Sequence, residues 1–464
     1  MLMIDFLFYF QRYSLVVCAI AQAIVWSELA VSAALPNVVL IISDDQGAGD
    51  YGFMGHPQLE TPHLDALAAR SRVFTQAWVP SSLCCPSLAS IITGLYPHQH
   101  RITANDPPAV AGGKKSSRGS SEELTEQWNA ALDHLPTLPR SLAAHGYQSF
   151  QTGKWWHGDY TRGGFTHGMT QGSRHGDEGL KIGRQGLQPI YDFIAKTRRQ
   201  EKPFLVWYAP FMPHSPHTPP ARLLDKYHAK TPSLHLARYW AMCEWFDETC
   251  GELFGYLDRE GLAENTIIVY VTDNGWVQSL DSPKFAPKNK TTPFDRGHRT
   301  PIMIHWPQRV TPGQATSLVS SIDIMPTLLK AVGLPVPSDL PGIDLLDPQA
   351  LARRRYIFGE NFTVRSQSLT DPAPNLLWRW TTDGRWRLIV PRTAEADPRF
   401  HQVPKDSYLT PDLIATLTAA KPMLFDIRSD PVEEVDLAQQ HPEVVAELRQ
   451  ALDAWWNPAP PATR

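Results

Sequence analysis

The sequence predicts an α/β fold, a sheet with helices on both faces, joined to a smaller C-terminal α+β unit. Two observations predict it. Short apolar runs of the kind that form buried strands alternate with helical patterns over most of the chain. Four of these runs also end in polar, ligand-capable residues: 38–42 before Asp44-Asp45, 149–151 before Thr152-Gly153-Lys154, 204–208 before Pro213-His214, and 267–271 before Asp273-Asn274. Ligands of open α/β sheets gather beyond the carboxyl ends of the strands, so four such ends predict a single site.

Taken in order, the chain opens with an export signal. An apolar run over 15–26 follows Arg12, and Val31-Ser32-Ala33 supplies a small-x-small cleavage pattern, giving a signal peptide over 1–33. The run is short for a membrane span, so no stable span is expected once the signal is removed. Cys84 follows, in Ser81-Ser82-Leu83-Cys84-Cys85-Pro86-Ser87-Leu88. Pro86 suits the first turn of a helix, Leu88, Ile91 and Ile92 share one face, and Gly94 can end it. Cys84 therefore stands at a helix N-terminus, where free N–H groups and the macrodipole favour an anion. Taken alone it is a buried thiol, the common fate of a lone cysteine.

Between Thr103 and His134 a Pro/Gly/Ser/Lys stretch containing Gly112-Gly113-Lys114-Lys115 reads as a loop, either a surface insertion or a segment near the site entrance. Cys243 and Cys250 fall on one helix; seven residues of helix span roughly 10.5 Å, beyond disulfide reach, which makes both core thiols. From Leu376 the character shifts to a hairpin around Asp383-Gly384, a strand near 423–425 and a helix from Pro442 with Val444, Val445, Leu448, Leu452 and Trp455 on one face. These features divide the mature chain into a catalytic domain over 34–370 and a C-terminal subdomain over 371–464.

Bulk composition narrows the function. With 42% hydrophobic and 19% charged residues the chain is that of an ordinary globular enzyme, not a disordered one. Its net charge is −4 and it has no long basic run, which argues against a nucleic-acid partner. Asp44-Asp45 alone would be a cap or turn pair, and Asp273-Asn274-Gly275 a common turn. Together they offer the hard oxygen ligands that Ca²⁺ or Mg²⁺ prefers.

Cys84-Cys85-Pro86-Ser87 with Thr93-Gly94 resembles the modification motif of the sulfatase family, within the alkaline phosphatase superfamily. Further matches are Thr152-Gly153-Lys154-Trp155, Pro213-His214, Lys290 through Arg299, Ser321 through Thr327, Leu424-Phe425-Asp426-Ile427 and Asp430 through Glu434, so the likeness covers almost the whole mature chain. It implies a large domain with a central mixed, mostly parallel sheet flanked by helices, and a small C-terminal α+β subdomain with an antiparallel sheet. It also implies a sulfuric ester hydrolase acting on a sulfated carbohydrate, and the N-terminal signal adds the expectation of export to the periplasm or secretion. By this resemblance Cys84 is oxidised by a maturation enzyme to formylglycine, whose hydrated aldehyde attacks the sulfate ester and later expels sulfate. Asp44, Asp45, Asp273, Asn274 and the modified Cys84 would hold Ca²⁺, with Mg²⁺ as the alternative. Lys154 and Lys290 would contact the sulfate, His214 would protonate the leaving alcohol, and Asp273 would help deprotonate the attacking hydroxyl.

The chain departs from the family pattern twice. Leu88 stands where the family usually has Arg, leaving Arg101 as the candidate compensating cation. Trp156 stands where the family has His two places after the Lys. Either His157 reaches the site by a local shift or Trp156 forms a sugar-stacking wall. His217 is either a less favoured substitute for His214 or simply a loop histidine, and His100 is either a substrate contact or part of a turn. The rival functions are a phosphomonoester or phosphodiester hydrolase on the same scaffold, and a catalytically silent sulfoglycan-binding relative.

Overall fold

In the computed structural model, residues 35–109, 120–307, 309–392, 415–417, 419 and 421–458 are described. The expected signal over 1–33 lies outside them. Among the described residues no helix is long and apolar enough to cross a membrane.

The strand Asn37–Ser43 (β1), read NVVLIIS, is buried along its whole length, as a central parallel strand covered on both faces must be. Its alternation sorts the core into two layers. Val38, Leu40 and Ile42 face one side, where they pack with Leu88, Ile91 and Ile92 of the helix Cys84–Thr93. Val39 and Ile41 face the other, against Met242, Phe246, Cys250 and Leu253 of the long helix Leu234–Arg259. Each such buried side chain contributes roughly 1.5–3 kcal/mol. Cys243 and Cys250 are both free and buried on that helix, as their spacing predicts.

The strands that follow are Arg72–Phe74 (β2), Ala77–Trp78 (β3), Gln148–Gly153 (β4), His167–Gly168 (β5), Phe204–Ala209 (β6), Thr266–Thr272 (β7), Ile302–His305 (β8), Gly313–Ala315 (β9) and Val319–Ser320 (β10). Eight of them form one sheet in the order β5-β4-β6-β1-β7-β8-β2-β9. Pairing is parallel from β5 to β7 and turns antiparallel on both sides of β8, so the sheet is mixed and mostly parallel. β3 and β10 make a separate parallel pair.

A second, antiparallel sheet contains Ile357–Phe362 (β11), Leu376–Thr382 (β12), Trp386–Pro391 (β13) and Met423–Asp426 (β14). The hairpin turn falls at Asp383-Gly384, with Gly384 at a φ of 88°, where a side chain is disfavoured. The helix Pro442–Trp455 closes one face through Leu448 and Leu452. This sheet begins before residue 371, because β11 (IFGENF) carries a buried Glu and Asn that mask its strand character in sequence. The core also crosses 370/371: Trp78 and Phe294 pack with Ile357, Trp378, Trp380 and Ile389.

The stretch between Thr103 and His134 is not all loop. It holds the helix Glu122–Asn129, whose first turn carries Glu122 and Glu123 and whose cap Ser121 accepts from the Leu124 amide at 3.1 Å. Trp128 alone is buried there, too little apolar periodicity to reveal a helix. Residues 110–119, including Gly112-Gly113-Lys114-Lys115, lie outside the described residues.

A buried ionic cluster ties the second sheet to the segment that follows β7. Arg387 of β13 has no exposed surface; its guanidinium lies 3.3 Å from Asp295, 3.5 Å from Glu433 and 3.8 Å above the Trp380 ring. Asp295 in turn accepts from the Trp78 indole at 2.6 Å and the Arg299 guanidinium at 2.9 Å. Removing one partner of such a cluster strands the others in low dielectric. Arg387→Met should therefore lower unfolding free energy by about 3–5 kcal/mol in chemical denaturation.

Candidate active site

Strand register builds the site. β1 pairs in parallel with β7 so that Ser43 stands opposite Thr272, and both strands end there. Asp44-Asp45 and Asp273-Asn274 therefore leave the sheet side by side, tied by the Asp273 amide to the Ser43 carbonyl at 2.9 Å and the Asp45 amide to Asp273 Oδ1 at 3.1 Å. Below them the hydroxyls of Ser43, Thr272, Tyr51 and Tyr270 bond to one another at 2.8–3.0 Å, satisfying a polar layer that would otherwise be costly to bury. On the other side β6 pairs with β4, and the amide of Lys154 bonds the Ala209 carbonyl at 2.7 Å. Gly153 is required just before it. Its φ is +76°, and a Cβ there would lie 1.8 Å from the Ala209 oxygen. Gly275 is equally constrained on the β7 side, since a Cβ would meet the Arg296 carbonyl at 2.0 Å.

Cys84 opens the helix Cys84–Thr93, which ends at Gly94 with a left-handed φ of 68°. Lys290 reaches it from the 289–299 loop, with Nζ 3.2 Å from Sγ and an ion pair to Asp45. That loop is pinned to the turn before Cys84: Ser82 Oγ donates to the Thr292 carbonyl at 3.0 Å, and the Thr291 amide donates to the Ser82 carbonyl at 3.3 Å. β11 braces the same hydroxyl through Asn361, which donates to Ser82 Oγ at 2.9 Å. Asp45, Lys288 and Thr291 all have positive φ without being glycine, so backbone strain is concentrated around this centre.

Eight of the nine expected site residues converge. Asp44, Asp45, Cys84 and His214 offer ligand atoms within 4.8 Å of one another. Lys154 Nζ lies 2.5 Å from Asp44 and 3.4 Å from Asp273, and Asn274 donates to Asp45 Oδ1 at 2.7 Å. The three carboxylates outnumber the two ammonium groups. Burial pushes Asp44 well above the usual carboxylate range, against the pull of Lys154 and with the push of Asp273 and Asp45. Burial acts on Asp45 in the same sense, but Lys290, His214 and Lys154 outweigh it and hold that carboxyl low. Both lysines are buried yet charged, because the surrounding acids overcome the desolvation that opposes their charge.

A cation fits this donor set. Among the described residues Asp44 Oδ2 and Asn274 Oδ1 are buried with no hydrogen-bond partner, two hard oxygens in a cluster of three carboxylates. His214 points the same way. Its Nδ1 lies 2.5 Å from the Ser215 carbonyl, which can only accept, so Nδ1 holds the proton of the neutral ring. Nε2 then turns a lone pair toward Asp45 Oδ2 at 3.4 Å, a contact that a proton or a metal ion would make favourable.

His157 is the ninth residue, and it is turned away. Its Nδ1 donates to the Trp128 carbonyl at 3.1 Å, its ring stacks on Trp128, and Nε2 lies 3.4 Å from Cys85 rather than Cys84. The carbonyl and the indole of the unanticipated 122–129 helix fix it there. His100 is structural: it is buried, accepts the Ile102 amide at Nδ1 (3.1 Å) and meets Ser90 Oγ at 3.0 Å. Arg101 caps the short helix Pro97–His100 with left-handed backbone and an exposed side chain, so it is no substitute for the Arg absent at Leu88. Leu88 packs in the apolar core, and the cations bordering Cys84 are Lys290 and Lys154. Trp156 is buried under Arg174, whose guanidinium lies 4.8 Å above its ring.

Sequence reasoning passed over two residues. Arg184 donates to the carbonyls of Phe211 (2.7 Å) and His214 (3.2 Å), holding the His214 loop. His175 enters beside Phe211 and Trp156 from a loop with no motif to mark it.

Comparison with known proteins agrees with this geometry. The Sulfatase family model matches residues 36–334. The chain is 28% identical over 403 residues to N-acetylgalactosamine-6-sulfatase of Rattus norvegicus, covering 75% of this chain and 72% of that protein. It is likewise 28% identical over 479 residues to arylsulfatase A of Homo sapiens, covering 89% and 86%. Among solved structures, the phosphonate monoester hydrolase of Agrobacterium radiobacter superposes with a TM-score of 0.66 at 18% identity, over 90% of this chain and 96% of that one. The protein belongs to the sulfatase family, and it is a sulfuric ester hydrolase. The phosphonate hydrolase shares the fold alone, which hosts more than one ester chemistry.

Burial is the leading influence on the Cys84 thiol and, despite Lys154 and Lys290, pushes it up to about 12. The unconverted residue is therefore a neutral thiol and a poor nucleophile. In metal-free, unconverted protein, Cys84 alkylation by iodoacetamide should show no thiolate inflection between pH 7 and about 10, where a free cysteine titrates near about 8.5. Peptide-resolved mass spectrometry of the rate at each pH reads this out.

Proposed function

We propose that the protein hydrolyses sulfate monoesters of a carbohydrate, using formylglycine made from Cys84 and a divalent cation held by Asp44, Asp45, Asp273 and Asn274. The observation that carries the reading is the meeting of a helix-N-terminal Cys84, two buried lysines and four hard-ligand residues beyond the carboxyl ends of the central strands. The donor set is all oxygen apart from residue 84, which favours Ca²⁺, with Mg²⁺ second. Such a cation would hold a sulfate oxygen, polarise the S–O bonds and stabilise an ionised nucleophile. Formylglycine would supply a hydrated aldehyde, with one hydroxyl to attack sulfur and a second whose deprotonation releases sulfate.

The chain's own residues take the remaining roles. Lys154 and Lys290 bind and neutralise the sulfate oxygens, and their burial strengthens that attraction. Asp273, within 3.4 Å of Lys154, accepts the proton of the attacking hydroxyl. His214, with Nδ1–H committed to the Ser215 carbonyl, presents Nε2 as the atom that passes a proton to the leaving alcohol once the ring has taken one up beside Asp45. Relatives named for N-acetylgalactosamine-6-sulfate support a sugar substrate. The N-terminal apolar run and its small-x-small end support export to the periplasm or beyond, where a maturation enzyme must already have acted.

The test is direct. Protein co-produced with a formylglycine-generating enzyme should show a loss of about 18 Da on the Cys84 peptide, the difference between SH₂ and O. It should cleave a sulfate ester faster than the matching phosphate and phosphonate esters assayed in parallel. Activity should fall after chelation and return with Ca²⁺, and Cys84→Ala should abolish it, by about 1,000-fold or more. A converted, metal-loaded enzyme that prefers phosphate esters would overturn the reading. So would an unconverted Cys84 in protein that binds sulfated sugars without turnover.

A further inference from the structure

His175 lies on a segment whose backbone is held in an unusual shape. His175, Gly176 and Asp177 have φ of 71°, 116° and 39°, and the turn is fixed by Asp177, whose carboxylate accepts the amides of Gln171, Ser173 and Glu178 at 2.7–3.0 Å. The segment presses directly on the strand end that delivers Lys154. The Trp155 amide donates to the His175 carbonyl at 3.0 Å, and a Cβ on Gly176 would meet the Gly153 oxygen at 2.4 Å. Strain of this kind persists where surrounding structure over-determines it, commonly at functional sites.

The imidazole so placed faces the catalytic centre. Its ring centroid is 4.5 Å from Trp156, 5.4 Å from Phe211 and 6.1 Å from His214. Phe211 is the shared wall: His214 stacks on it at 4.1 Å and Lys154 Nζ lies 5.6 Å from its centroid. Arg174 Nη1 sits 2.7 Å from His175 Nε2. A guanidinium can only donate, so Nε2 accepts and the neutral ring carries its proton on Nδ1. Arg174 is itself anchored by Asp106, at 2.8 and 3.3 Å, and by the Trp156 face, so the tautomer is locked from behind. Burial first, then Lys154 and Arg174, hold His175 down to about 2, and the ring stays neutral. Among the described residues Nδ1–H has no partner.

We propose that His175 donates a hydrogen bond from Nδ1 to an oxygen of the bound sulfate ester, a third donor alongside Lys154 and Lys290. The assignment rests on the sulfatase reading above for the identity of the anion. A neutral donor adds direction without adding charge beside the two lysines. His157 does not supply this contact, because both of its ring nitrogens are engaged in the core.

The experiment compares wild type, His175→Phe and His175→Asn, all converted, metal-loaded and checked for unchanged thermal unfolding. Phe keeps the ring and removes the donor. Asn tolerates the left-handed backbone and can place its amide N–H where Nδ1–H stands. Inorganic sulfate binding is measured by calorimetry and sulfate-ester turnover separately. H175F should bind sulfate about tenfold more weakly and raise KM more than it lowers kcat, while H175N stays within about threefold of wild type. H175F that binds sulfate as tightly as wild type overturns the proposal, as does H175N weakened as much as H175F, or a wild type that binds no sulfate. If sulfate binding shows the expected pattern while wild type fails to cleave any sulfate ester, the contact stands and the hydrolase reading falls.

Discussion

The parallel pairing of β1 with β7, in the register that sets Ser43 opposite Thr272, is the constraint on which the rest of the site depends. It forces three carboxylates and an amide into one buried volume, an arrangement that self-repulsion and desolvation both oppose. The surrounding structure answers that cost. Lys154 comes from the end of β4 and Lys290 from the 289–299 loop, each placed against a carboxylate. Two orphaned oxygens remain, and they give the centre its appetite for a cation. A one-residue slip in this register would turn the strand faces inside out and scatter the pairs.

The second sheet stabilises the first through the loop that carries Lys290. Arg387, Glu433 and Asp295 meet at its far end, where the Asp295 amide donates to Glu433 at 2.7 Å. Asn361 and Ser82 meet at its near end, beside the turn before Cys84. The C-terminal part is thus a brace for Lys290 and for the turn before Cys84. That explains why a core runs across the boundary that composition suggests.

Leu88 redistributes positive charge. An apolar side chain in the first turns of the Cys84 helix leaves Lys290 as the cation in direct contact with residue 84, and the helix becomes part of the core along its whole length. The same neighbourhood explains the exchange of histidines. His157, adjacent in sequence to the Lys154 motif, is captured by a helix thirty residues upstream. His175 arrives from a tied turn downstream. Loop histidines are chosen by what packs behind them, and that packing is not local in sequence.

Much of the protein was legible in its sequence. The α/β alternation, the helix at Cys84 with its Gly94 stop, the hairpin at Asp383-Gly384 and the Pro442 helix follow from periodicity and turn chemistry, which are local properties, whereas the mixed, mostly parallel pairing was implied by the family resemblance. Residues placed at strand ends, Asp44, Asp45, Lys154, Asp273 and Asn274, were legible for the same reason: a strand end in a parallel sheet has a known address. The helix in the 103–134 stretch, the early start of the second sheet at β11, the burial of His157 and the entry of His175 were not. Each depends on a polar residue satisfied by a distant partner, and only the folded chain decides which distant groups become neighbours.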